Sequence, residues 1–157
     1  MLGAVSVRGA ASGDIPLGGT NSTPSAPRHQ RVAWVTGAAS GIGRAAAVEL
    51  AQAGWTVWAS DVDADALREL AGTHTGLRTA PVDVCDAAAL AAVAGQIEAA
   101  NGRLDALVAS AAVFPRRSLS AMRADDIARV FAVNVVGVAT AVLAARRLMA
   151  GRGGSMV

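Results

Sequence analysis

The residues of this sequence best suited to chemistry are three glycines, Gly37, Gly41 and Gly43, in the segment TGAASGIG. They lie between the apolar run RVAWVT at 31–36, which favours a β-strand, and an alanine-rich stretch that favours a helix over 42–53. Gly37 would permit a sharp exit from the strand, Gly41 would leave space for phosphate oxygens, and Gly43 would let the helix pack closely. The pattern predicts a turn that binds the pyrophosphate of a dinucleotide.

The start of the predicted helix supplies the rest of this phosphate site. Unpaired amides at a helix N-terminus face an anion, so Ser40 and Ile42 are expected to contribute beside Gly41. Glycine-rich turns also form ordinary loops, and the motif alone leaves both interpretations open.

An acidic residue at the end of the second predicted strand favours the dinucleotide. Asp61 follows WTVWAS at 55–60 and lies 18 residues after Gly43, where a carboxylate can accept hydrogen bonds from both hydroxyls of an adenosine ribose. A carboxylate there would repel a 2′-phosphate, so NAD is favoured over NADP. The alternative is that Asp61 caps the helix near 63–71, which Asp63 could cap instead.

The third predicted strand, 77–82, ends in a second acidic residue. Asp83 would lie near the adenine edge, and Val62 and Val84, which directly follow the two carboxylates, are expected to line the same site. The remaining predicted elements are a helix from the N-cap Asp86 to about 100, a strand at 104–110, a long helix over about 125–150 and a fifth strand that begins at 155–157. The alternation of strands and helices predicts an α/β fold with a parallel sheet covered on both faces.

Composition excludes several kinds of chemistry and partner. The chain has no tyrosine, and all fourteen of its basic residues are arginine, so it can supply neither a phenol nor an amine side chain. A formal charge of +2 from scattered arginines argues against nucleic-acid binding. The single cysteine, Cys85, is interpreted as an incidental thiol in a cytoplasmic protein, and no metal site is predicted.

Two segments raise questions of localisation. Residues 1–30 are rich in Gly, Ser, Thr, Pro and Ala without periodicity, and are predicted to form a disordered leader before a domain at 31–157. The apolar segment 130–145 is shorter than the ~20 residues that a membrane-spanning helix needs, so a buried or interface helix is expected.

Taken together, these motifs resemble the short-chain dehydrogenase/reductase family over 31–157. The resemblance is carried by TGAASGIG, by Asp61, by the DV pair at 83–84, and by VNVVG with Asn134 in the long helix. It implies a Rossmann-type, doubly wound sheet in three α/β/α layers, with NAD across the carboxyl ends of the strands.

The resemblance departs from the family pattern after the fourth strand. The family usually has Asn-Asn-Ala-Gly there, whereas this chain has Ala109, Ser110, Ala111 and Ala112, which lack the bracing asparagines. The cofactor is still expected to pass over Ala109 and Ala111.

The resemblance also implies hydride transfer between the nicotinamide and an alcohol or carbonyl substrate, assisted by a tyrosine, a lysine, a serine and an asparagine. Only the asparagine has a candidate, Asn134, which could equally be a helix asparagine that bonds a backbone carbonyl. The chain is expected to be truncated within its fifth strand and inactive alone. It could instead be a non-catalytic dinucleotide-binding module, or half of an enzyme completed by a second polypeptide.

Two further implications concern the cofactor class and the assembly. A methyltransferase-type domain is disfavoured by the glycine spacing and by Asn134. The substrate stays open, and a homo-oligomer could form through the helix at 125–150.

Overall fold

A parallel five-stranded sheet forms the centre of the structure, a computed structural model that describes residues 30–157. The leader predicted for 1–30 lies outside the described residues except for Gln30. The strands are β1 (Val32–Thr36), β2 (Thr56–Ser60), β3 (Leu77–Thr79), β4 (Ala106–Ala109) and β5 (Ser155–Met156). Their order across the sheet is β3-β2-β1-β4-β5, so the direction of winding reverses between β1 and β4.

Helices connect these strands and cover both faces of the sheet. They are α1 (Gly41–Gln52), α2 (Ala64–Thr73), α3 (Ala87–Asn101), α4 (Ala124–Phe131) and α5 (Val138–Met149). A 3₁₀ turn (Leu119–Ala121) precedes α4, and a π-helical segment (Ala132–Gly137) joins α4 to α5.

The central strand β1 shows how the sequence defines the two faces. All five of its residues are buried. Val32 and Trp34 point into a hydrophobic cluster with α3 and α5, whereas Ala33 and Val35 point into a cluster with α1 and α2. Alternate residues of a strand face opposite sides, and a parallel strand covered on both sides is apolar throughout. The predicted doubly wound, three-layer α/β/α fold is confirmed.

Strand β3 is shorter than the predicted segment 77–82 and ends at Thr79, and Pro81, which has no amide hydrogen, lies just beyond this edge strand where no ladder bond to β2 needs one. The amides on either side of it, those of Ala80 and Val82, still donate to carbonyl groups of β2 and of Asp61, both at 2.9 Å. The chain therefore continues beside β2 up to the edge where the candidate site lies.

Strand β4 is also shorter than the predicted segment 104–110. The amide of Leu104 donates to the Leu148 carbonyl in α5 at 3.2 Å, and that of Ser110 donates to the Thr36 carbonyl at 3.2 Å. Leu104 is thus engaged with a helix, whereas Ser110 continues the contact with β1 just beyond the end of β4. The helix predicted from Asp86 is confirmed, since its carboxylate accepts from the Ala89 amide at 2.9 Å.

The long helix predicted over 125–150 forms as one run of 26 residues, Ala124–Met149, with the π-helical segment inside it. By length and composition it is apolar enough to cross a membrane, and it extends well beyond the segment 130–145 considered above. A core helix can meet the same criteria. Here Ala141, Ala145 and Leu148 are buried in the hydrophobic cluster beneath the sheet.

Candidate functional site

A crevice of about 310 Å³ opens at the carboxyl ends of the strands, where the winding direction reverses. Open α/β sheets bind their ligands at this position. The lining residues come from the segments that follow β1 to β4 and from the long helix: Gly37, Ser40, Gly41, Ile42, Asp61, Val62, Val82, Asp83, Val84, Ser110, Ala111, Ala112, Val113, Arg129 and Val133.

The glycine turn between β1 and α1 is too tightly packed for side chains at two positions. Gly37 has φ +71°, and a Cβ there would lie 2.6 Å from the Ala111 nitrogen. A Cβ on Gly43 would lie 2.1 Å from the Gly37 carbonyl oxygen. Gly43 therefore lies behind the turn and outside the crevice lining, and it lets α1 approach the turn.

Gly41, in contrast, has open space where a side chain would be. It has φ +53°, and apart from its chain neighbours and its own helical turn, no atom of the described chain lies within 4 Å of the place where its Cβ would be. Helix α1 begins here, and its first backbone hydrogen bond runs from the Arg44 amide to the Ser40 carbonyl at 3.1 Å. The amides of residues 41–43 precede that bond, and within the described residues Ser40 makes no side-chain cap. An anion at this open end would meet amide donors and no side chain at Gly41.

Asp61 braces the glycine turn from the end of β2. Its Oδ2 accepts from the Ala39 amide at 3.0 Å, and its Oδ1 accepts from the Asp63 amide at 3.2 Å. The interpretation of Asp61 as the cap of α2 is wrong, because Asp63 caps that helix by accepting from the Ala66 amide at 3.0 Å. A carboxylate has about four acceptor sites, so Asp61 can accept further hydrogen bonds in the crevice.

The segment after β3 supplies the next wall. Asp83 is exposed and accepts from the Cys85 amide at 2.9 Å, while the buried Val84 lies against Gly137 of the π-helical segment. Desolvation raises the pKa of the Cys85 thiol, Asp83 raises it further, and the charge of Arg129 lowers it. With a raised pKa the thiol is protonated at neutral pH and is a poor nucleophile.

The segment after β4 is held by Thr36 where the resembled family has asparagines. Besides the bond from Ser110, the Ala111 amide donates to Thr36 Oγ1 at 3.4 Å. Ala111 lines the crevice, whereas Ala109 lies within β4 outside the lining and donates its amide to the Val157 carbonyl at 2.7 Å.

Asn134 lies in the π-helical segment and does not line the crevice. Its Oδ1 accepts from the Val113 amide at 2.8 Å, and its Nδ2 donates to the Val113 carbonyl at 3.0 Å. The side chain therefore holds a crevice residue in place through both backbone groups. This arrangement matches the alternative in which Asn134 bonds the backbone, and a catalytic role for it stays a prediction.

Sequence reasoning missed six lining residues, namely Val82, Ser110, Ala112, Val113, Arg129 and Val133. The first four lie within two positions of residues that were predicted, so a wider margin around the strand ends would have included them. Arg129 and Val133 come from the long helix and lie four residues apart, which places them on one helix face. The sequence contains no sign that this face borders the crevice, because the path of the helix depends on tertiary packing.

A family model described as short chain dehydrogenase matches residues 31–157. Among curated proteins, a (3R)-3-hydroxyacyl-CoA dehydrogenase of Canis lupus familiaris is 37% identical over 134 residues, covering 78% of this chain and 52% of the relative. A D-threitol dehydrogenase of Mycolicibacterium smegmatis is 36% identical over 135 residues, covering 81% and 51%. The chain thus spans about half the length of these relatives.

Solved structures show the same likeness. A short-chain dehydrogenase from Streptomyces avermitilis superposes with a TM-score of 0.75 at 30% identity, covering 81% of this chain and 47% of that structure. Sequence and fold therefore point to the same group of proteins.

Proposed function

Because the chain belongs to the short-chain dehydrogenase/reductase family, whose members are oxidoreductases with nicotinamide cofactors, we propose that its crevice binds NAD. The observation that carries the proposal is the pairing of the open helix start at Gly41 with the carboxylate of Asp61 across one crevice. The free space beside Gly41 fits a diphosphate, and the remaining acceptor sites of Asp61 fit two ribose hydroxyls.

The choice of NAD over NADP rests on charge. The 2′-phosphate of NADP would approach the Asp61 carboxylate, and like charges at close range repel. The cation in the crevice lining, Arg129, comes from the helix that covers the opposite face of the sheet from α1 and α2. At the position proposed for the ribose, the crevice presents the Asp61 carboxylate to the 2′-phosphate.

Hydride transfer between the nicotinamide and an alcohol or carbonyl substrate is proposed for the whole protein. The residues of this sequence offer neither a tyrosine nor a lysine for the family's proton transfer. In this proposal the crevice residues bind the cofactor and hold it at the strand ends. Asn134 keeps the crevice residue Val113 in place through two hydrogen bonds. Ser155, at the start of β5, is not assigned a catalytic role.

We also propose a cytoplasmic protein that forms homo-oligomers through the long helix. Five of its large apolar side chains are between 48% and 59% exposed, namely Ile127, Phe131, Val135, Val136 and Leu143. Exposed apolar patches on a helix favour contact with another protein surface. Sedimentation of the purified chain tests this proposal, since a monomer at all concentrations would contradict it.

Calorimetric titration with NAD and NADP tests the cofactor proposal. In Asp61→Asn the side-chain oxygen can still accept from the Ala39 amide, while the negative charge is lost. We expect the unaltered chain to bind NAD more tightly, and the variant to shift the NAD-to-NADP affinity ratio toward NADP by about 5- to 30-fold, as for a change of roughly 1–2 kcal/mol.

The matched control is Asp65→Asn, which removes an exposed carboxylate that pairs with Arg68 on α2, away from the crevice. It should leave the affinity ratio unchanged. An unchanged ratio in Asp61→Asn would overturn the role of Asp61. Failure of the unaltered chain to bind either dinucleotide at millimolar concentration would overturn the proposed function itself.

A further inference from the structure

Arg129 is the one arginine that lines the crevice within residues 30–157. It lies on α4, one helical turn before the buried Val133, which lines the same crevice. It also borders a neighbouring cavity of about 240 Å³, together with Phe114 and Pro115. Its side chain therefore stands on the wall between two cavities.

The guanidinium of Arg129 has no ion-pair partner in the described part of the chain. Arg117, which borders the same neighbouring cavity, differs in that it pairs with Asp126 at 3.6 Å. The charge of Arg129 is felt at Cys85, the residue that follows Asp83 and Val84, because it lowers the pKa of that thiol. Arg129 shares the crevice lining with Asp83 and Val84, the residues that follow β3.

The crevice residues around Arg129 have a chemistry that suits a flat aromatic ring. Val84 and Val133 present buried apolar side chains, and the exposed carboxylate of Asp83 can accept from an amino group. A guanidinium is planar and stacks on aromatic faces, where the attraction is a cation–π contact. Diphosphate binding is already provided by the amides at the start of α1.

Building on the NAD binding proposed above, we propose that Arg129 packs its guanidinium against the adenine ring of the dinucleotide. The ring lies between this side chain and the wall formed by Val84 and Val133. Arg129 is then a binding residue that no glycine or acidic motif of the sequence indicates.

Titrations with adenosine, AMP and NAD, followed by NMR shifts of the protein amides, test the contact. Arg129→Gln removes the charge and the planar guanidinium but keeps a polar side chain on the exposed helix surface. We expect all three ligands to bind about three- to fivefold more weakly, by the same factor, as for an exposed cation–π contact. Arg146→Gln, a change to another exposed arginine of the long helix, should leave all three affinities unchanged.

Three other outcomes would show which part of the proposal is wrong. If Arg129→Gln weakens AMP and NAD but not adenosine, Arg129 contacts phosphate and the adenine assignment is overturned. If Arg129→Gln binds all three ligands as the unaltered chain does, Arg129 makes no contact and the inference fails while the proposed function stands. If the unaltered chain binds none of the three, the proposed function fails and this inference fails with it.

Discussion

At the residue scale, the most informative side chain is Asn134. Its position in VNVVG could be recognised from the sequence, but its partner could not, because Val113 lies 21 residues away and meets it only through the packing of the helix. The same limit of sequence-based prediction applies to Asp61. Its place at a strand end was predictable, whereas its hydrogen bond to the Ala39 amide depends on the path of the glycine turn.

Asn134→Ala tests whether the pair of hydrogen bonds to Val113 stabilises the fold. The change leaves a partly buried amide and carbonyl without their partner, so we expect the free energy of unfolding to fall by about 1–3 kcal/mol. Urea denaturation measures it. Thr140→Ala is the control, because that hydroxyl bonds only a carbonyl of its own helix, that of Val136, and its loss should cost less. Equal losses in the two variants would contradict a bracing role for Asn134.

At the element scale, the sequence located each of the five strands and each predicted helix, because short apolar, β-rich runs alternate with helical stretches in this chain. The ends were less predictable. Strand β3 ends at Thr79 although the amides of Ala80 and Val82 still bond toward β2, and the amide of Leu104 donates to a carbonyl group of α5. The π-helical segment was not predicted. Its last residue, Gly137, packs against Val84, and no local sequence pattern indicates a contact between residues so far apart in the chain.

Gly137→Ala tests that contact. A Cβ on Gly137 would lie 2.6 Å from the Val84 Cγ2 atom, so the helix or the wall that follows β3 would have to move. We expect a loss of about 1–3 kcal/mol in the free energy of unfolding, as for other overpacked sites. NAD affinity should fall as well, because Val84 lines the crevice.

The matched control for this variant is Gly95→Ala in α3. Apart from its own helical turn, no atom of residues 30–157 lies within 4 Å of the Cβ position there, so alanine should stabilise the chain by about 0.5–1 kcal/mol through its higher helix propensity. Thermal and urea unfolding of the two variants measure the difference. The same sign of change in both variants would show that packing at Gly137 does not control the position of the helix.

At the scale of the whole molecule, the parallel sheet covered on both faces followed from the alternation of strands and helices, and the site at the strand ends followed from the family resemblance. The side of the crevice formed by the long helix could not be predicted in this way. Arg129 and Val133 border the crevice only because α3 and α5 pack together beneath the sheet and carry α4 toward the strand ends. Local patterns fix the sheet, and long-range packing decides which helix residues complete the site.

The central claim is that the open start of α1 binds the diphosphate of NAD while Asp61 binds its adenosine ribose. A crystal structure of the chain grown with NAD tests it most directly. The account predicts diphosphate oxygens within hydrogen-bond distance of the amides of Gly41 and Ile42, and ribose hydroxyls at the Asp61 carboxylate. NAD bound elsewhere, or with its diphosphate away from the glycine turn, would contradict it.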